Sequence, residues 1–296
     1  MTNEMPSRDV ILTTLQRVPL DYAATFLASL RRTGYRGELV FFVSAMEEAS
    51  IAELRRQGVR VVRFTFKGIH VKQRLARLWP VWRRVFGSRL PPELKERLAH
   101  AVFHLFYRRH LLYLQYLRAH REEYDRVFLT DARDVFFQAD PFSWNPSPGV
   151  HFFLEEAEIG SCPFNARWIT SQFGPATAEA MKTKTISCAG TVFGDTDGIL
   201  RYLAAMVALT MSARSLREPT GDQGIHNYVL YQQPLPQMTV HDNRTGPLLT
   251  MGQTKPEAVR FNDQGWVVNG QGVMVPILHQ YDRLPAVEKI LLARLA

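Results

Sequence analysis

Cysteine is scarce in this chain: Cys162 and Cys188 are the two among 296 residues, and neither stands in a paired spacing. That argues against a disulfide framework or a thiolate metal site and suits a reducing compartment. Both thiols read as small buried apolar groups. Long apolar runs are also missing, none approaching the roughly 18 residues of a membrane-crossing helix. The opening MTNEMPSRDVILTTL lacks the basic start and apolar core of a signal peptide, so a cytoplasmic protein is expected. There is no GxxxxGK[ST] loop, no GxGxxG after the first apolar run and no HExxH. A P-loop ATPase, a dinucleotide dehydrogenase and a zinc protease are disfavoured accordingly. No repeat, low-complexity tract or long linker interrupts the chain.

Acidic charge is missing from one stretch. From Lys67 to Arg121, thirteen Lys or Arg face only Glu93 and Glu96, in a chain whose formal charge is +8. The remainder is slightly acidic. Such a patch suits an anionic partner: a nucleotide, an acidic glycan, a membrane face or nucleic acid. The overall balance, 46% hydrophobic and 22% charged, fits one large α/β domain or two small ones.

The first 65 residues alternate. Val10–Thr14 is β-rich, Asp21–Arg32 has helical spacing, Leu39–Val43 is continuously apolar, Glu47–Gln57 is helical and Val59–Phe64 is again a strand. That order and spacing predict right-handed βαβ crossovers. Residues 67–123 form a basic helical insert, with Pro91-Pro92 starting a helix and 93–120 either one long helix or two end to end. A strand at 126–130 follows. Beyond Pro146 and Pro148 come a strand at Val150–Leu154, a loop with a short helix over Glu155–Gln172, and a strand at Thr185–Phe193. Helices over Thr196–Ser212 and from Gly221 to Tyr231 precede strands at Leu248–Met251, Val267–Val268 and Val273–Leu278. The two halves are expected to share one sheet.

Strand 126–130 leads straight into Asp131 and Asp134, and a second apolar run follows at once. Acids at the C-terminal edge of a strand sit where open α/β sheets bind ligands. They are costly there unless something cationic shares them. A hydrated divalent ion carrying a diphosphate would do so. Arg133 stands between them and suits either an Asp or a phosphate.

The passage YDRVFLTDARDVFFQADPF, residues 124–142, resembles the metal-binding segment of GT-A glycosyltransferases. Those carry a DxD-type motif after an apolar strand, also as DxRD followed by V-F-F-Q-x-D-P-F. The resemblance implies that Asp134 is a metal ligand, for Mn²⁺ or Mg²⁺, and that Asp131 contacts the ribose or shares the metal. Two residues separate the acids, unlike a strict DxD, which leaves their division of labour open. Tyr107–Tyr113 supplies a basic helix before the strand, where the family has a residue that approaches the diphosphate or braces the metal loop. Arg109 is the first choice and Arg108 the alternative. Ser187–Gly194 is similar to the family's small-residue strand facing the sugar, with Ala189 and Gly190 allowing close approach; tight strand packing or a bulge explains them equally. Gly221–Tyr228 resembles the DQ-x-x-x-N helix start, with Gln223 in the donor site. Asp222 is there a general base or sugar-binding group, or simply a helix cap. His279 closes an apolar run and would complete the metal shell, with Asp282 a weaker alternative.

Other residues carry two readings each. Glu155 and Glu156 bind sugar hydroxyls or are solvated; Trp168 stacks on a ligand or fills the core. Lys72, Arg74 and Arg77 with Trp79 and Trp82 rest on an anionic membrane surface, grip an acidic acceptor, or form a helix with a basic outer face. Together the resemblance implies a single GT-A-like α/β domain over 1–296, with a Rossmann-type mixed sheet flanked by helices. Residues 8–150 would be the nucleotide-binding half and 151–285 the acceptor half. Its activity would be metal-dependent transfer of a sugar from a nucleotide-diphosphate donor to a hydroxyl-bearing glycan or glycoconjugate, with no nucleic acid involved. A sugar nucleotidyltransferase, or a non-catalytic protein of this fold using its basic segment on an anionic partner, are the competing readings.

Overall fold

The computed structural model describes residues 8–65 and 77–295. Lys72 and Arg74 of the basic stretch lie outside the described residues. The first half runs β1 (Asp9–Gln16), α1 (Ala24–Arg32), β2 (Glu38–Ser44), α2 (Glu48–Arg56) and β3 (Arg60–Arg63). The insert supplies α3 (Trp79–Gly87), α4 (Pro92–Val102) and α5 (Leu105–Ala119), and then come β4 (Arg126–Thr130) and β5 (Val135–Phe137). The second half runs β6 (Val150–Glu158), α6 (Pro163–Phe173), α7 (Pro175–Met181), β7 (Thr185–Asp195), α8 (Thr196–Ser212) and α9 (Asp222–Gln232). The chain closes through β8 (Met238–His241), β9 (Leu248–Thr250), β10 (Arg260–Phe261), β11 (Val267–Val268), β12 (Ile277–His279) and α10 (Pro285–Leu292).

A seven-stranded mixed sheet holds both halves, in the order β3-β2-β1-β4-β7-β6-β8. β3, β2, β1 and β4 are mutually parallel, β7 runs antiparallel to both β4 and β6, and β8 is parallel to β6. Buried side chains of the central parallel strands alternate between two cores because both faces of the sheet are covered. On β1, Val10 and Leu12 face one core while Ile11 and Leu15 face the other. On β4, Val127 and Leu129 face the first and Phe128 the second. Helices α1 and α2 cover one side through Phe26, Leu30, Ile51 and Leu54; α5, α8 and α9 cover the other. Each such buried side chain contributes on the order of 2 kcal/mol.

The basic insert belongs to this second cover. Trp79 is buried, and its Nε1 donates to the Ala213 carbonyl at 2.8 Å. It is a core residue, as the reading of a helix with a basic outer face requires. Helix 93–120 is two helices. Extended backbone at Phe103 and His104 separates α4 from α5, and the Phe103 ring packs between Phe86 and Trp79.

Two further stretches differ from expectation. The loop expected from Glu155 is strand through Glu158, followed by the eleven-residue helix α6. Glutamates masked the strand, yet they obey its period of two: Glu155 is buried and Glu156 exposed. Pairing with β7 shifts register between Phe152, Leu154 and Glu158, an irregularity beside the cleft. The strand expected over Val273–Leu278 is confined to β12, with an isolated bridge from Met274 to Val268. β12 lies in a separate three-stranded sheet, between β5 and β9.

Candidate active site

Asp131 follows the last residue of β4, and its backbone N–H donates to the Gly190 carbonyl of β7 at 2.9 Å. Asp134 directly precedes β5. Antiparallel pairing of β5 with β12 sets His279 opposite Val135, and the Gln280 N–H donates to the Asp134 carbonyl at 2.7 Å. Residues distant in sequence therefore meet at one point. His279 Nε2 is 3.9 Å from Asp131 Oδ2 and 3.8 Å from Asp134 Oδ1. One ligand atom from each of the three lies within 4.8 Å of the others.

The chemistry of this set fits a divalent ion. His279 is 0% exposed, and its Nε2 has no hydrogen-bond partner although it faces two carboxylates. Its Nδ1 sits 3.4 Å from Thr250 Oγ1, so the outer nitrogen is the one left for an ion. An orphaned buried nitrogen costs stability unless something occupies it. Burial pushes the Asp134 carboxyl above the ordinary range; His279 pulls it down and the charge on Asp131 adds to the rise. Two carboxylates and one imidazole suit Mn²⁺, and Mg²⁺ less well because it favours oxygen ligands. Gly190 leaves the room: a Cβ there would stand 2.5 Å from Asp131 Oδ2 and 3.0 Å from His279 Nε2. Arg133 donates to Asp134 Oδ2 at 2.9 Å and to Asp282 Oδ2 at 2.5 Å, so it braces the acidic loop and holds Asp282 in a separate ion pair.

Arg109 lies behind the acid pair on α5. It donates to Asp131 Oδ1 at 2.6 Å, to Asp222 Oδ2 at 2.8 Å and to the Ala189 carbonyl at 3.2 Å. Arg108 points elsewhere, onto His100 Nδ1 and the Phe64 ring. Asp222, 3% exposed, is the first residue of α9, and the cap position belongs to Gly221. It accepts from Arg109 and meets His110 Nε2 at 3.3 Å. Burial alone would raise Asp222, but Arg109 and His110 more than offset that and hold it below the ordinary carboxylate range. Burial opposes the Arg109 charge as well, and Asp222 and Asp131 keep it protonated. Burial pushes His110 below the ordinary imidazole range, with its contact to Asp222 pulling the other way. The helix is tied to β7 by Asn227, whose amide exchanges hydrogen bonds of 2.9 Å with both backbone groups of Ser187.

These residues line a cleft of about 860 Å³ at the C-terminal edge of β1 and β4, the ligand edge of such sheets. Ala189, Gly190 and Gln223 border it, Gln223 donating to Asn165 Oδ1 at 3.2 Å. Half-buried Trp168 and exposed Phe164 stand on its α6 side, 6.2 Å between ring centroids. Glu155 also faces the cleft. It is 7% exposed and has no cationic partner among the described residues. Burial pushes its carboxyl up to about 7, with Cys188 pulling the other way. The sequence marked Glu155 and Glu156 as a pair; the strand period separates them, and Glu156 borders a different hollow. His110 and Asn227 went unnoticed in sequence, the former hidden beside Arg109 and the latter visible only as the Asn of DQ-x-x-x-N. No protein-family model matches the chain, and no curated protein matches it.

Proposed function

We propose that this protein is a metal-dependent glycosyltransferase of GT-A type, moving a sugar from a nucleotide-diphosphate donor to a hydroxyl acceptor. The observation that carries the reading is the meeting of Asp131, Asp134 and His279 around an unpartnered imidazole nitrogen. The mixed sheet and the cleft at its C-terminal edge support it. Asp134, Asp131 and His279 would hold Mn²⁺ or Mg²⁺, which when bound supplies positive charge to the departing diphosphate. Arg109 fixes Asp131 and Asp222 in place, so both carboxylates are oriented before a donor arrives. Trp168 and Phe164 offer faces for a sugar ring.

Among the cleft acids, Glu155 is the one suited to accept a proton near neutral pH. Asp222, held ionised by Arg109, suits sugar binding better than base catalysis. In an inverting transfer, the acceptor oxygen bonds the anomeric carbon and its proton passes to Glu155. The bond from that carbon to the diphosphate breaks, and its electron pair stays on the phosphate oxygen. A thermal-shift screen of nucleoside diphosphates and nucleotide sugars with and without Mn²⁺ tests the reading. Stabilisation by one donor class that requires Mn²⁺ and is lost in Asp134→Ala supports it; indifference to every nucleotide with Mn²⁺ present defeats it.

A further inference from the structure

The cationic surplus of the insert gathers around an apolar groove well away from the acids. The groove has a volume of about 530 Å³ and lies between α3, α4, the C-terminal half of α5 and α8. Phe86, Leu114 and Val207 form a buried apolar floor, with Met211 at its side. Arg83 and Lys95 stand at the rim. The acid at the groove is already neutralised: Glu96 accepts from Arg118 at 2.6 Å and from Gln115 at 3.0 Å. Elsewhere on α3 and its flanks, Arg77, Arg84 and Arg89 are exposed, and none of them, nor Arg83 or Lys95, is ion-paired among the described residues. Exposed apolar side chains stand among these cations: Leu78 is 53% exposed, Val81 56% and Leu94 38%.

A helix that shows aliphatic side chains to solvent between uncompensated arginines matches one kind of partner. Water penalises the aliphatic groups, and between Arg77 and Ala119 only Glu93 and Glu96 stand against the positive field. A bilayer surface answers both, because anionic headgroups meet the cations while apolar groups enter the acyl boundary. A nucleic acid would satisfy the charge and leave Leu78, Val81 and the groove floor in water. We propose that this face docks on a bilayer containing anionic phospholipid, with headgroup phosphates on Arg83 and Lys95, Leu78 and Val81 inserted, and an acyl chain along the groove. Trp79 takes no part in this contact, because it belongs to the core. The surface lies toward the opposite end of α5 from Arg109, so the docked protein keeps its cleft accessible.

Sedimentation of the full chain with vesicles of phosphatidylcholine, with and without phosphatidylglycerol, tests this. Binding is expected only with phosphatidylglycerol and should fall as salt rises. Arg83→Gln with Lys95→Gln should weaken it roughly thirtyfold, at about a kilocalorie per mole for each cation lost near the surface. Leu78→Ser with Val81→Ser, which leaves the charge alone, should also weaken it. All four positions lie at the protein surface, and an unchanged melting temperature and Mn²⁺ response would attribute the loss to docking. Equal binding to pure phosphatidylcholine would overturn the proposal, as would phosphatidylglycerol binding that survives both variants. Retention on heparin without vesicle binding would assign the patch to a polyanion and overturn it too. None of these outcomes depends on the glycosyltransferase reading.

Discussion

Two acids at the edge of the cleft behave in opposite ways because one has a cation and the other has none among the described residues. Asp222 is buried against Arg109, and losing its charge would leave that guanidinium with Asp131 alone. Asp222→Asn should therefore destabilise the protein by about 3 kcal/mol, measured by urea denaturation, because a buried charge loses a partner. Glu155 has a folded pKa raised from 4.5 to about 7, so the fold favours its protonated form. The sign follows from proton binding: between those values the folded state holds the proton and the unfolded state does not. Its contribution is fully present below about pH 4.5 and is lost as pH rises through about 7. Glu155→Gln, which cannot ionise, should gain on the wild type across that window, by up to about 3 kcal/mol at pH 8. Melting curves of both proteins from pH 4.5 to 8 measure the difference, and parallel curves would contradict it. Both residues were visible in the sequence. Their protonation was not, because Arg109 reaches Asp222 from another element and only the tertiary fold buries Glu155.

At the scale of elements, β7 and the β5–β12 pair decide the site. Gly190 lies where β7 passes the acids, and any side chain there presses on Asp131 and His279. Gly190→Ala should leave the fold intact and weaken Mn²⁺ affinity by tenfold or more, read by isothermal titration; unchanged affinity would mean the ligands shift freely. Gly190 thus leaves room for Asp131 and His279, the proposed metal ligands, where sequence reading offered room for a sugar or tight strand packing. The strand at 126–130 was legible to the residue because its apolar run ends abruptly at Asp131. Helix α8 was equally plain, from Thr196 to Ser212. β6 was legible only in its first half, since Glu155, Glu156 and Glu158 look like a loop until one face is known to be buried. β12 was overextended because the apolar run before it does other things: Val275 packs in a small core with Val267, and Val273 is exposed in the loop.

For the molecule as a whole, the candidate ion would join two sheets. Asp131 closes the seven-stranded sheet at β4, whereas His279 belongs to the three-stranded one. An ion binding the folded state alone should raise the melting temperature, by about 2.7 kcal/mol of stability at a hundredfold excess over Kd. Excess EDTA should return the protein to its metal-free melting point, and calorimetry with and without Mn²⁺ reads both values. The sequence by itself determined the alternating α/β order, the continuous strands of a sheet covered on both faces, and the acids at a strand's end. Those are local matters of period, composition and turn residues. Tertiary structure alone decided that His279 points its free nitrogen at both acids, that Arg109 spans Asp131 and Asp222, and that Trp79 is core while Leu78 and Val81 face solvent. Each depends on pairing and packing between distant segments, which local patterns do not encode.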